Sequence, residues 1–418
     1  MVWKQGAAVA IWGSGLNAEK VYVKYAGKYD IRIVVDNFKN KDFIFNKKIV
    51  SDEEFFNDDE FRDLKIIIAS DKWKEIAEQL RGKGLRVGED FLPYIMLDTR
   101  EILVKQILEL CNQYEIKDFL DIMRNQRKIV IFWGNCQING IREFCKWNEE
   151  FCEDYMIVRF PQLWDTKELL MCCDHKEIWK NCELVILQKI NANNCLSYKF
   201  STEYRMEILH KYNSECNVVR VPNLNFGGYF PQVGRETIRA LREVQFEGVQ
   251  CRDANIIAMV DAGLNYKEII DRVTSEEFYS KEYVQQHFQE SIAMMEVWEN
   301  DCDVHISDYL NTNRILYWSP MHPHAEVIHE ISIRLLKLLH IQNVKIREYE
   351  RIGFHLERIH YFHRTEYVYP SVVKGLEIKN YEDNQRINSF IYGTTTDGID
   401  MLESYIALCK GYRGKKTI

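Results

Sequence analysis

No apolar run in this 418-residue chain approaches the roughly 20 residues a membrane-spanning helix needs, so no membrane span is expected. Twelve cysteines are present but no CxxC pair, and only Cys172 and Cys173 are adjacent. That scatter fits neither a structural zinc site nor the disulfide framework of a small secreted domain, and no metal is expected. The opening "MVWKQGAAVAIWGSG" runs into a glycine-rich turn instead of a cleavage site, so a cytosolic protein with reduced thiols is expected. Low-complexity tracts and long linkers are also missing, and no convincing internal repeat is present. Nor is there a basic excess. Lys and Arg number 55 against 63 Asp and Glu, a net charge of −8, so no general nucleic-acid binder is expected.

What remains is the composition of a soluble globular protein, 46% hydrophobic and 28% charged, too long for one ordinary core. The first 100 residues alternate strand and helix signals. "AAVAIWGSGLNAEKVYVKYA" reads as strand, glycine turn and helix, "IRIVVDN" and "KIIIAS" as strands, and "DKWKEIAEQLRGKGL" as an amphipathic helix with a glycine stop. This rhythm predicts βαβ units and a parallel sheet. Residues 101–127 are expected to form a helical connector. A second α/β block over 128–345 offers the strands "KIVIFWG", "YMIVRF", "CELVILQ" and "NVVRVP". Helices are expected at "RDANIIAMVDAGLNYKEIIDRV", at "SKEYVQQHFQESIAMMEVWEN" and after the His-Pro turn of "RILYWSPMHPHAEVIHEISIRLLKLLH". Residues 346–418 read as a lid, an interface arm or a third small domain.

Gly13, Gly15 and Ala18 follow a strand and open a helix, and Asp36 ends the next strand. Small residues there let a phosphate approach the helix N-terminus, and the acid stands where a ribose would be bound. A tight βα turn of purely structural use has the same glycines, so both readings stand. The stretches "IWGSGLNAEKVY", "VVDN", "IIIAS" and "EIAEQLRGKGL" resemble the small Rossmann-like domains attached to bacterial sugar-modifying enzymes and some methyltransferases.

The strand at 128–133 ends in Gly134-Asn135-Cys136-Gln137 and leads into a helix. A cysteine there sits where the helix dipole and free N–H groups stabilise a thiolate, and the same N–H groups suit an oxyanion. A nucleophilic thiol needs a base, and His322 in "WSPMHPHAEVIHE" is the candidate. The arrangement resembles that of SGNH hydrolases, in which a nucleophile follows the first strand and a D-x-x-H-P turn precedes the last helix. Here Cys136 stands for the serine and Ser319 for the aspartate. The His322 ring is then held by Ser319, by a backbone carbonyl, or by neither. Gln188, at the end of "ELVILQ", is a candidate oxyanion donor or substrate ligand, as are Gly134, Asn135 and Gln137. Asn223 and Asn225 in "VPNLNFGGYFP" either line the site or serve turn chemistry. His322, His324 and His329 lack the i, i+4 spacing of a helical zinc pair, and "HLERIH" at 355–360 is not HExxH. Cys145 and Cys152 are expected to pack in a helix.

In order, "IFWGNCQINGI", "RFPQLWD", "ELVILQKI", "VPNLNFGGYFPQ" and "SPMHPHAEVI" resemble the WcbI family of capsular-polysaccharide biosynthesis enzymes, over roughly residues 128–345. The resemblance implies a coenzyme A-binding acetyltransferase, with acetyl-CoA as cosubstrate, that decorates a sugar of a surface polysaccharide. Under it Lys189 and Arg235 are candidates for the coenzyme A phosphates, or ordinary solvated cations. Its acceptor would be a glycan or sugar nucleotide, and a homo-oligomer stays open. Two rival expectations are an esterase of the same layout, with water as acceptor, and a non-catalytic scaffold that binds sugar nucleotides. The expected fold is α/β: a small Rossmann-like parallel-sheet domain, then an SGNH-like α/β domain with many helices.

Overall fold

The computed structural model describes residues 3–4, 6–38, 42–94, 101–103, 127–160, 176–190, 198–233, 245–246, 249–250, 253–346, 366–379, 402–403, 406–407 and 409–410. It is a mixed α/β protein with two largely parallel sheets. The first contains β1 (Ala8–Trp12), β2 (Asp30–Val35), β3 (Phe43–Ile44), β4 (Lys47–Val50), β5 (Lys65–Ile68) and β6 (Phe91–Pro93), in the order β3-β4-β2-β1-β5-β6. All its pairings are parallel except that of β3 with β4. Alternate residues explain why both faces are covered: Val9 and Ile11 enter one apolar cluster, Ala10 and Trp12 the other. The hairpin β3–β4 was not legible in "DFIFNKKIV". Its two turn residues, Phe45 and Asn46, have φ of 55° and 58°, and stacking of Phe45 on Tyr22 at 4.4 Å helps hold that left-handed conformation.

The second sheet contains β7 (Glu101–Leu103), β8 (Lys128–Trp133), β9 (Tyr155–Arg159), β10 (Cys182–Gln188) and β11 (Asn217–Val221), all parallel, in the order β11-β10-β8-β9-β7. Every residue of β8 after Lys128 is buried. Ile129, Ile131 and Trp133 face one cluster, Val130 and Phe132 the other. Each such aliphatic side chain contributes about 1.5–3 kcal/mol by leaving water, which is why the middle strand reads as an unbroken apolar run. Strand β7 corrects the expectation of a helical connector. Glu101–Leu103 pairs with β9 at the sheet edge, and the rest of that connector lies outside the described residues.

The helices Cys136–Lys146 and Ala325–Leu338 lie on the Val130 face, where Phe144 meets the His329 ring edge-on at 5.3 Å. Trp179 covers the opposite face from the helix Lys176–Lys180. The single helix expected at 252–273 is two, Ala254–Asp261 and Tyr266–Val273. Gly263, with φ of 79°, ends the first, and Asn265 opens the second in a capping box with Glu268. The helix Lys281–Glu299 packs on Pro370–Leu376, where the absent side chain of Gly375 admits Val284. Tyr367, Val368, Tyr369, Val372 and Leu376 join the Val130 core cluster, so this described part of 346–418 is built into the core. His355, His360 and His363 lie outside the described residues.

Candidate active site

From β8 the chain crosses one face of the second sheet to β9, then returns over the other face to β10. The helix that leaves β8 lies on the Val130 face, and Leu209 of the helix that leaves β10 lies on the opposite one. The connections leaving these two neighbouring carboxyl ends therefore diverge, which makes this the topological switch point of the sheet. Gly134 and Lys189 are the first residues past those two ends. Both ends are pinned by Arg205, a fully buried side chain. Its Nη1 donates to Trp133 O at 2.8 Å, its Nη2 to Gln188 O at 2.7 Å, and its Nε to Ser201 O at 3.0 Å. These are charge-assisted bonds in a dry setting, stronger than neutral ones. Nothing in "TEYRMEILH" distinguishes Arg205 from a solvated arginine, and the sequence did not reveal it.

Past the end of β8 Asn135 caps the helix, its Oδ1 accepting from Gln137 N–H at 2.8 Å. The N–H of Asn135 itself donates to Gln188 Oε1 at 2.8 Å. Gln188 reaches that N–H only because residue 134 is glycine: a Cβ there would stand 2.6 Å from Gln188 Cβ. Cys136 is the first helical residue and is half-buried, so its sulfur lies at the positive end of an 11-residue helix. The carboxamide of Gln137, 1% exposed, reaches in three directions. Its Nε2 donates to Met321 O at 2.7 Å and lies 3.3 Å from both Leu224 O and Asn225 Oδ1. Its Oε1 accepts from Gln188 Nε2 at 2.7 Å and from Leu224 N–H at 3.0 Å.

Met321 O belongs to a two-stranded hairpin, Tyr317–Ser319 with His322–Pro323. Pro320 O in the same hairpin accepts from Phe226 N–H at 2.7 Å. Ser319 Oγ lies 2.7 Å from His322 Nδ1, and both residues are buried. In the tautomer whose Nδ1–H donates to Ser319, the Nε2 lone pair is the basic position. The other two histidines lead elsewhere. His324 lies against Trp318, ring centroids 4.2 Å apart and tilted by 38°, and burial pushes its pKa down to about 3. Burial also lowers His329, which lies against Phe144. Among the described residues no three His, Cys, Asp or Glu side chains converge as metal ligands.

The turn, the end of β10, the 223–226 loop and the His322 hairpin are thus hydrogen-bonded together. Asn225 takes part through the 3.3 Å contact, and Asn223 keeps a buried Oδ1 with no hydrogen-bond partner. Lys189 departs from expectation. Its Nζ donates to Trp298 O at 3.2 Å and pairs with Asp301 at 2.9 Å, and the lysine holds the Asp301 carboxyl below its usual range. Arg235 lies outside the described residues. Cys145 and Cys152 are buried in the apolar cluster, and desolvation pushes the Cys145 thiol up.

In the first sheet Gly13 has φ of 115°, and a Cβ there would meet Ala69 O at 2.9 Å. Gly15 is the helix N-cap. Asp36 accepts from Ser14 N–H and Phe38 N–H, each at 2.9 Å, and from the Ser14 hydroxyl. Its carboxylate closes the turn from within the chain.

The family model of the polysaccharide biosynthesis enzyme WcbI matches residues 129–344, more than half of the chain. The chain belongs to the WcbI family of polysaccharide biosynthesis enzymes. The match takes in the Cys136 turn, Gln188, the 223–226 loop and the His322 hairpin, and ends after the helix that follows it. A solved structure of WcbI is described as a novel polysaccharide biosynthesis enzyme, native and without a disulfide bond between CoA and one of its cysteines. It aligns with 68% of this chain and 99% of its own, at 12% identity and a TM-score of 0.44, a likeness that carries nothing about the chemistry here. No curated protein matches the chain.

Proposed function

We propose that this WcbI-family chain is a coenzyme A-dependent acyltransferase, an O-acetyltransferase acting on a sugar of a capsular or other surface polysaccharide. The observation that carries the reading is Cys136 at a helix N-terminus at the switch point of the sheet, one residue from a side chain bonded to the His322 hairpin. The Cys136 thiolate attacks the acetyl carbonyl, the carbon–sulfur bond to coenzyme A breaks, and the departing thiolate takes up a proton. One thioester replaces another, so the step is close to thermoneutral. The sugar hydroxyl then attacks the acyl-cysteine while His322 Nε2 removes its proton, and Cys136 leaves as thiolate. In the direct variant His322 activates the hydroxyl for attack on acetyl-coenzyme A, and Cys136 lines the site.

The strand order of the second sheet and the placement of Cys136 and His322 support an SGNH-like arrangement with Ser319 in the place of the acid. A serine hydroxyl orients the ring without supplying a negative charge, so the imidazolium is less stabilised than beside a carboxylate. No described helix is long and apolar enough to cross a membrane. The reading calls for the cytoplasm, where coenzyme A and sugar nucleotides meet.

The test uses the whole protein, radiolabelled acetyl-coenzyme A and no acceptor. Label attached to the parent and to Cys145→Ala, but lost in Cys136→Ala, supports the acyl-cysteine. Coenzyme binding without label leaves direct transfer, and absence of both binding and label refutes the transferase.

A further inference from the structure

We infer that Gln137 is a positioning residue that sets the His322 ring against Cys136, and that it contacts neither oxyanion nor substrate. The inference rests on the acyltransferase reading for its kinetic consequence. Its geometric content stands independently.

Gln137 immediately follows Cys136 in the chain, and the atom its Nε2 meets at 2.7 Å is the carbonyl of Met321, immediately before His322. One carboxamide therefore bridges two residues 184 positions apart, each a single peptide bond from a reacting side chain. Its remaining capacity is taken up. The second Nε2 hydrogen faces Leu224 O and Asn225 Oδ1, and Oε1 accepts two bonds. No hydrogen is left to offer an oxyanion without breaking the bridge. The amide has one workable orientation, since a flip would set its NH2 against Gln188 Nε2 and Leu224 N–H and its oxygen against three acceptors. Gln188 enforces that orientation, and its own Oε1 holds Asn135 N–H. The two buried glutamines thus form a clasp between the cysteine turn and the histidine hairpin. Ser319 fixes the ring within the hairpin, and Gln137 fixes the hairpin on the turn.

The test compares full-length parent, Gln137→Met, His322→Gln and the double variant. Met keeps the length and volume of Gln but makes neither the donor nor the acceptor bonds. Two quantities are read: the pH dependence of Cys136 alkylation by iodoacetamide, followed by mass spectrometry of its peptide, and kcat and KM for acetyl transfer. The expected result is that Gln137→Met moves the alkylation profile toward that of His322→Gln. It lowers kcat by about 100-fold while KM for acetyl-coenzyme A changes less than about threefold, as for a misplaced reacting group. In the double variant the loss equals that of His322→Gln alone, because a base already removed has nothing left to be positioned. Gln137→Met with the parent's alkylation profile, or losses that add in the double variant, would overturn the inference. Should circular dichroism show Gln137→Met unfolded, Gln137→Asn is read in the same way: it keeps an amide too short to span to Met321 O. A parent that transfers no acetyl group refutes the functional reading, and the alkylation profiles then decide the positioning role alone.

Discussion

Replacing Gly134 with alanine tests the site and the fold at one atom. The new Cβ would lie 2.6 Å from Gln188 Cβ, 2.6 Å from Gln188 Oε1 and 3.1 Å from Ile138 Cβ. Two of these neighbours are the rigid bases of side chains, on a central strand and on a helix, so the strain is not relieved by swinging a flexible tip. Overpacking of this kind costs about 1–3 kcal/mol. Moving Gln188 away also takes its Oε1 from Asn135 N–H, a buried donor whose orphaning costs about 1–3 kcal/mol more. A net loss near 3 kcal/mol corresponds to a fall of about 1 M in the urea midpoint for a slope of about 3 kcal/mol per molar. Tryptophan fluorescence suits the measurement, because Trp133 and Trp179 are fully buried, 4.9 Å apart, with Trp133 adjoining the turn. Gly82→Ala is the control. Nothing lies within 4 Å of its added Cβ in the helix Trp73–Gly82, so helix propensity alone acts and stabilises by up to about 1 kcal/mol. Gly134→Ala unfolding at the parent's midpoint would refute the claim that this glycine exists for the approach of Gln188.

Ser319→Ala removes the hydroxyl 2.7 Å from His322 Nδ1 and is expected to lower kcat about 10–100-fold with the fold intact, as read by steady-state acetyl transfer. Arg205→Met leaves Trp133 O, Gln188 O and Ser201 O without their charged donor, and is expected to destabilise by about 3 kcal/mol in urea unfolding. Asp253 gives a pH dependence. Burial pushes its pKa up from 3.8 to about 6, even though it caps a helix and accepts from Tyr369 OH at 2.7 Å. The native state therefore holds this proton more tightly than the unfolded chain does. Its contribution is fully present below about pH 4 and is lost as pH rises through about 6. Asp253→Asn is expected to remove that decline from thermal unfolding measured across the window; an unchanged slope would contradict it.

The strands of both sheets that are buried on two faces were legible, because a strand such as "KIVIFW" has no polar face to obscure it. The turn at Cys136 was legible for a related reason: Gly-Asn-Cys-Gln breaks that run abruptly. The edge was not. Glu101–Leu103 is three residues long, and so short a strand leaves no period to read. The break at Gly263 lay inside two amphipathic stretches that read as one, although Gly-Leu-Asn-Tyr-Lys-Glu carries both the stop and the capping box. Within the site, the local pair of Ser319 and His322 was open to a sequence reading, while contacts between distant elements were not. Lys189 was read as a coenzyme A-phosphate ligand or a solvated cation, with no sign of its ion pair, because Asp301 is 112 positions away, and the bridge from Gln137 to Met321 spans 184. Local pattern shows where a side chain leaves the backbone, and tertiary packing decides what it meets.

The strand Glu101–Leu103 means that the stretch marking the family and the stretch that must fold together have different limits. Glu101 Oε1 lies 2.8 Å from Nε of Arg142, a guanidinium only 3% exposed whose Nε–H is not aimed along that contact, and Glu101 Oε2 lies 3.2 Å from Lys146. A piece of chain cut to begin at residue 128 would keep every family motif. It would also bare the outer edge of β9, inviting edge-to-edge association, and leave Arg142 and Lys146 with Glu143 as their remaining carboxylate. Grafting a different front half onto this enzyme would therefore have to join upstream of residue 101, so that the recipient inherits the strand along with the chemistry it supports.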